Sequence, residues 1–127
     1  MNILDENIPS SQRDLLRNWR VSVHQIGHEF EHRGIQDEEI ISSLHRLRRP
    51  TFFTRDLGFY AHSLCHMRYC LVCMAVEKYE VASFVRRFLR HPEFDTQAKR
   101  MGAVTLVSHT GILMWRLQVS EQVRLSW

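Results

Sequence analysis

Proline and glycine are scarce in this chain of 127 residues, 3 and 5 copies respectively, which excludes collagen-like and low-complexity linker architectures. Cysteine is as rare as proline. Its three copies, Cys65, Cys70 and Cys73, are odd in number and crowded together, so the spread framework of a disulfide scaffold is excluded and reduced thiols are expected. No apolar run approaches the roughly 20 residues that cross a bilayer. The N-terminus also has no basic region leading into an apolar stretch with a small-residue cleavage site, so a cytoplasmic protein without membrane contact is expected. Internal repeats are missing, and the length suits one domain spanning 1–127. Lysine is almost absent: of 17 basic residues, 15 are arginine.

What is present is enough apolar material, 44% of residues, for one buried core. The net charge of +3 hides an asymmetry: residues 1–56 hold 9 acids and 8 bases, a balance of −1, whereas residues 57–127 hold 5 acids and 9 bases, a balance of +4. Arginine matches phosphate in a planar, bidentate way. A cationic half facing an acidic cluster suits a nucleic-acid substrate whose backbone must approach metal-loaded carboxylates. A solvated basic surface is the plainer alternative.

Periodicity orders the elements. Met1 to Asn7 puts a short apolar run before the adjacent acids Asp5 and Glu6, as a strand ending on carboxylates would. Ser10 to Trp19 has hydroxyls suited to capping and apolar residues at Leu15, Leu16 and Trp19, which predicts a helix. Val21 to Ile26 alternates as a short strand, and Gly27 to Gly34 is a polar loop. Asp37 to Arg48 has Ile40, Ile41, Leu44 and Leu47 at helical spacing, with acids in its first turn and arginines in its last. Pro50 ends it, Thr51 to Arg55 is a third strand, and the apolar spacing of Leu57 to Arg68 allows a short helix. Tyr69 to Val76 is almost continuously apolar, as a strand covered on both faces would be. Val81 to Leu89 marks an amphipathic helix limited by Pro92, and Ala103 to Ser108 with Ile112 to Leu117 reads as a hairpin. Alternation of strands and helices predicts an α/β fold: a three-layer α/β/α sandwich with a mostly parallel central sheet and a C-terminal β-hairpin. Right-handed crossovers would then deliver Asp5 and Asp56 to the same sheet edge, where such folds hold ligands.

Three runs of residues, Leu4-Asp5-Glu6-Asn7-Ile8-Pro9, Asp37-Glu38-Glu39-Ile40 and Thr54-Arg55-Asp56-Leu57-Gly58-Phe59, resemble in order and spacing the short PIN-like nuclease domains. The likeness covers most of the chain. It implies acids that bind Mg²⁺ or Mn²⁺, endoribonuclease chemistry on single-stranded RNA, and frequent occurrence as the toxin of a toxin–antitoxin pair. By position it assigns Asp5 to the acid closing the first strand, Asp37 to the helix acid and Asp56 to the first acid of a Thr-x-Asp-x-Asp-Phe motif. Gly58 stands where that motif has its second Asp, with Glu6 and Glu39 the nearest replacements. Hard carboxylate oxygens suit these cations, and a bound ion lowers the pKa of the attacking water.

Around these acids, Arg46, Arg48, Arg55, Arg86 and Arg87 are the candidate RNA-binding cations. Trp19, Phe30 and Trp115 are candidate anchors for an antitoxin or a second copy of the chain, or else core residues. A catalytically weakened module that binds RNA or a protein without cutting is the second reading, and Gly58 separates it from the first. The third is a thiol-metal or redox domain built on Cys65, Cys70 and Cys73. Against it, Cys70 and Cys73 lie three apart on a strand and would face opposite sides.

Overall fold

The computed structural model describes residues 1–127. Its elements in chain order are β1 (Asn2–Leu4), α1 (Ser10–Asn18), β2 (His24–Gln25), α2 (Asp37–His45), β3 (Thr51–Thr54), β4 (Cys70–Met74), α3 (Val81–Arg90), α4 (Gln97–Arg100), β5 (Ala103–Ser108), β6 (Gly111–Arg116) and β7 (Val123–Leu125). Single 3₁₀ turns stand at Leu57–Phe59, His62–Leu64 and Lys78–Glu80. The strands form one sheet in the order β2-β1-β3-β4-β5-β6-β7. The first five run parallel, and β6 and β7 add antiparallel. This is the α/β sandwich with a mostly parallel sheet and a terminal hairpin that the alternation of elements predicts.

Consecutive strand residues face opposite layers, as the pleat requires. Leu4, Phe53, Cys70 and Val72 join the core beneath α1 and α3. Ile3, Phe52, Leu71 and Cys73 join the other core, beneath α2 and the first two 3₁₀ turns. With both faces covered, β3 and β4 are buried throughout, which is why they read as continuous apolar runs. The separation of Cys70 from Cys73 follows from the same pleat. Burial pushes both thiols up to about 12.

Apart from shifts of one to three residues at element ends, such as α2 stopping at His45 and not Arg48, the structure departs from the sequence expectation in four places. β2 keeps only two of the six residues expected, because Gly27 enters the left-handed region at φ 81° and turns the chain out of the sheet. Leu57 to Arg68 forms two 3₁₀ turns in place of a helix. Their apolar residues are tethered one at a time, Phe59 against Phe52 and the Tyr69 hydroxyl to the Leu64 carbonyl. α4 leaves no periodic pattern in the sequence because it is a single turn, opened by the Thr96 side chain accepting from the Lys99 amide. β7 turns the hairpin into a three-stranded unit. It lies so close to Gly111 that a Cβ there would stand 2.6 Å from the Leu125 carbonyl oxygen. No helix is long and apolar enough to cross a membrane.

The direction of the chain reverses at β1. It leaves to one side for β2 and returns past β1 to β3, so the carboxyl ends of β1 and β3 are neighbours around a topological switch point. In open parallel sheets the ligand crevice opens there.

Candidate functional site

Leu4 and Phe53 are register partners, and the Asp5 amide donates to the Phe53 carbonyl at 3.0 Å, so the first residue past β1 is locked beside the end of β3. One side-chain hydroxyl then joins the two acids. Thr54 Oγ1 donates to Asp5 Oδ2 at 2.6 Å and accepts from the Asp56 amide at 2.9 Å. The other oxygen, Asp5 Oδ1, accepts from the Glu6 amide at 2.8 Å. Asp56 caps the 3₁₀ turn through the Gly58 amide, which donates to its Oδ1 at 2.9 Å. Asp5 and Asp56 line one cleft of about 350 Å³ with Asn7, Ile8 and Arg55.

Burial pushes the Asp5 carboxyl above the ordinary carboxylate range. The Thr54 and Glu6 hydrogen bonds oppose this, while the nearby carboxylates of Glu6 and Asp56 add to it. Asp37, the first residue of α2, is exposed and lines the adjoining cleft of about 210 Å³ with Gly58, Phe59 and Leu64. Its carboxyl is raised too, by desolvation first and then by the charges of Asp56 and Glu38. Asp56 thus stands electrostatically between the other two expected acids. Asp5 and Asp56 share a cleft, Asp37 borders the next one, and no three His, Cys, Asp or Glu side chains are gathered closely enough to form a metal-holding group.

Gly58 lies between these clefts with a backbone that any residue can adopt, since its φ is not in the left-handed region. A Cβ there would point at Asp56, 3.0 Å from Oδ1. This is the place at which the resemblance implies a further acid. Glu6 does not fill it. Glu6 Oε1 accepts from the Gly34 amide at 2.9 Å, and its carboxylate lies against Gly27. Glu39 does not fill it either, because it faces His32 at 3.4 Å on the outside of α2.

Of the expected RNA-binding arginines, only Arg55 reaches the acidic cleft. Its Nε donates to the Val76 carbonyl at 3.0 Å, which leaves its terminal nitrogens free of any carboxylate. Arg46 is bound to Glu31 at 3.1 Å, and Arg48 is exposed at the far end of α2. Arg86 lies over the Trp19 ring at 3.7 Å and Arg87 over Trp127 at 4.3 Å, both on the α1–α3 face. Those stacks account for Trp19 as a packed residue, and Trp115 is covered in turn by the stacked ring of His62.

The residues that sequence reasoning missed are the supports. Gln25 is fully buried; its Nε2 donates to the carbonyls of Asp5 at 3.0 Å and Ile8 at 2.8 Å, and its Oε1 accepts from Arg13 at 3.2 Å. A glutamine inside an alternating apolar segment is the signal that was there to be read. Thr54, in the Thr-x-Asp run, is the other. Set beside known proteins, the chain matches no family model, no curated protein and no solved structure, so its functional reading rests on these residues themselves.

Proposed function

We propose that this chain is a divalent-metal-dependent endoribonuclease of the PIN-like type, acting in the cytoplasm as the toxin of a toxin–antitoxin pair. The observation that supports it is the meeting of Asp5 and Asp56 in one cleft at the switch point of a parallel sheet, joined through the Thr54 hydroxyl. The donors fit a hard cation. Two carboxylates stand together, and the more buried has its charged form disfavoured, a cost that a cation would reverse. Asp5 and Asp56 would hold Mg²⁺ or Mn²⁺, with Asp37 across Gly58 as the next carboxylate. When bound, the ion supplies phosphate polarisation and a water of lowered pKa.

The chain's own residues do the rest. Thr54 fixes the Asp5 carboxylate, so its free lone pairs are oriented before any ligand arrives. Gln25 holds the backbone that carries Asp5. Arg55, steadied by the Val76 carbonyl and unpaired with any acid, presents its guanidinium to an RNA phosphate at the mouth of the cleft. The test is incubation of the protein with RNA and Mn²⁺, with and without chelator. Cleavage that requires Mn²⁺ and disappears in the Asp56→Asn protein supports the proposal; equal inactivity with and without Mn²⁺ overturns it.

A second reading, RNA or protein binding without cleavage, is favoured by one feature, the glycine at position 58. Without an acid there, no third carboxylate joins Asp5 and Asp56 in their cleft. RNA retained by a protein that never cuts it would select this reading.

A further inference from the structure

Next to the acidic cleft lies a second opening of about 330 Å³, and Arg55 lines both. Its floor is apolar, made by Met74 at the end of β4 and by Val76 just beyond, and the Leu57 side chain stands at its rim 47% exposed. Leu57 follows Asp56 directly, so its exposed side chain lies on the carboxyl edge of the sheet beside the acidic cleft.

Two polar side chains of this opening, Glu80 and His109, are already engaged with each other. Glu80 Oε1 accepts from the Glu77 amide at 3.0 Å and contacts His109 Nε2 at 3.1 Å, while the Glu80 amide donates to the Glu77 backbone carbonyl at 2.9 Å and the Glu77 side chain is exposed. The His109 ring is held edge-on against Phe84 at 4.8 Å. Glu80 is therefore spent on local structure. The cation left free is the guanidinium of Arg55, at the boundary between the two clefts. An apolar floor beside an unpaired cation fits a flat, weakly polar body attached to an anion, which is the chemistry of a nucleotide unit.

We propose that this opening is a nucleobase pocket for single-stranded RNA, taking the base of the nucleotide whose phosphate lies at Arg55 beside the Asp5–Asp56 cleft. The pocket rests on the reading of the chain as an RNA-acting protein, and it names the part of the strand that gives grip. The base lies against Leu57 and Val76, its phosphate meets Arg55, and His109, fixed by Glu80, forms the far wall. Recognition by an apolar floor tolerates every base, so preference among sequences is weak.

The test uses the whole chain and a fluorescein-labelled single-stranded octaribonucleotide, read by anisotropy with chelator present so that nothing is cut. Two charge-neutral variants alter the pocket. Ala75→Leu fills it from an exposed position, and Leu57→Ser removes its rim. Each is expected to weaken binding about fivefold to tenfold, the effect of losing one seated base. The parent is expected to prefer the octamer to an abasic strand of the same length and charge by a similar factor. Parent-like affinity in either folded variant, or a parent that binds the abasic strand equally well, overturns the pocket. Mn²⁺-dependent cleavage is measured separately. A parent that binds through bases yet never cuts keeps the pocket and ends the nuclease reading, whereas a parent that cuts with an unchanged KM in Ala75→Leu ends the pocket and keeps the nuclease.

Discussion

The two edges of the sheet each bury part of an ionisable group, and they treat it in opposite ways. At the amino edge Arg100 is 6% exposed. Its Nε donates to Thr51 Oγ1 at 2.9 Å and its Nη1 to the Phe94 carbonyl at 2.7 Å, two neutral oxygens that fix the guanidinium in the fold. At the carboxyl edge Asp5 also receives two hydrogen bonds, yet it faces Asp56 and an open cleft. Burial shifts both groups toward their neutral forms, the arginine downward and the carboxyl upward. One charge is closed in as a structural tie, while the other is kept where a ligand can reach it. The difference is one of access: a buried charge enclosed by neutral oxygens is settled within the fold, and a half-buried charge beside a like charge and an open cleft is left strained toward its neutral form.

The largest effect should come from breaking the closed edge. Arg100→Ala strips two oxygens of their donor and opens space under β3, and it should lower stability by about 2–4 kcal/mol in urea denaturation. The matching change at the open edge should run the other way. Asp5→Asn removes a like charge from Asp56, and it should raise stability by roughly 0.5–1 kcal/mol while abolishing Mn²⁺ binding by calorimetry.

The same pair of proteins sharpens the comparison through pH. The folded-state pKa of Asp5 lies above its ordinary value of 3.8, so the carboxyl favours folding while protonated, and that contribution is lost as pH rises through the raised value. Asn has no such loss. The stability advantage of Asp5→Asn should therefore be smallest below the ordinary carboxylate pKa, grow with rising pH and level off above the folded-state value. Saturating Mn²⁺ should lower the plateau by stabilising only the parent.

Gly58→Asp is the next step down. The backbone accepts a side chain, whose first atom would point at Asp56 Oδ1. Stability should fall by less than about 1 kcal/mol from added repulsion, and Mn²⁺ affinity should rise about tenfold as a further carboxylate joins the group. Unchanged affinity in the folded variant would place the cation elsewhere. The smallest effect belongs to Glu39→Gln. With its only partner His32 on the surface, it should alter neither Mn²⁺ binding nor stability by more than about 0.5 kcal/mol.

The order of strands and helices was legible because burial on both faces leaves a strong mark, as in Thr51–Thr54 and Cys70–Met74. The placement of Asp5 and Asp56 followed from strand ends and crossover handedness, which are chain-level rules. What sequence could not give was side-chain direction after the strands stop. Glu6 was within reach of the site by position, yet the Gly34 amide takes its carboxylate away, a contact spanning 28 residues. β7 was invisible because Val123–Leu125 has too few residues for a pattern and is specified by pairing with β6. The 330 Å³ pocket was likewise unreadable: Leu57, Val76 and His109 are far apart along the chain and meet only through parallel pairing of β3, β4 and β5.

Gln25 gives the site a mechanical character of its own. The outer rung of the sheet at β2 is only two residues long, and the Gln25 side-chain amide extends its hold by bridging the carbonyls of Asp5 and Ile8, while the Asp5 amide and carboxylate are bound to Phe53 and Thr54 of β3. The acid-bearing turn is therefore tied to both flanking strands, to β2 through Gln25 and to β3 through the Phe53 carbonyl and the Thr54 hydroxyl, so the acid is held only as firmly as the two strands together hold it.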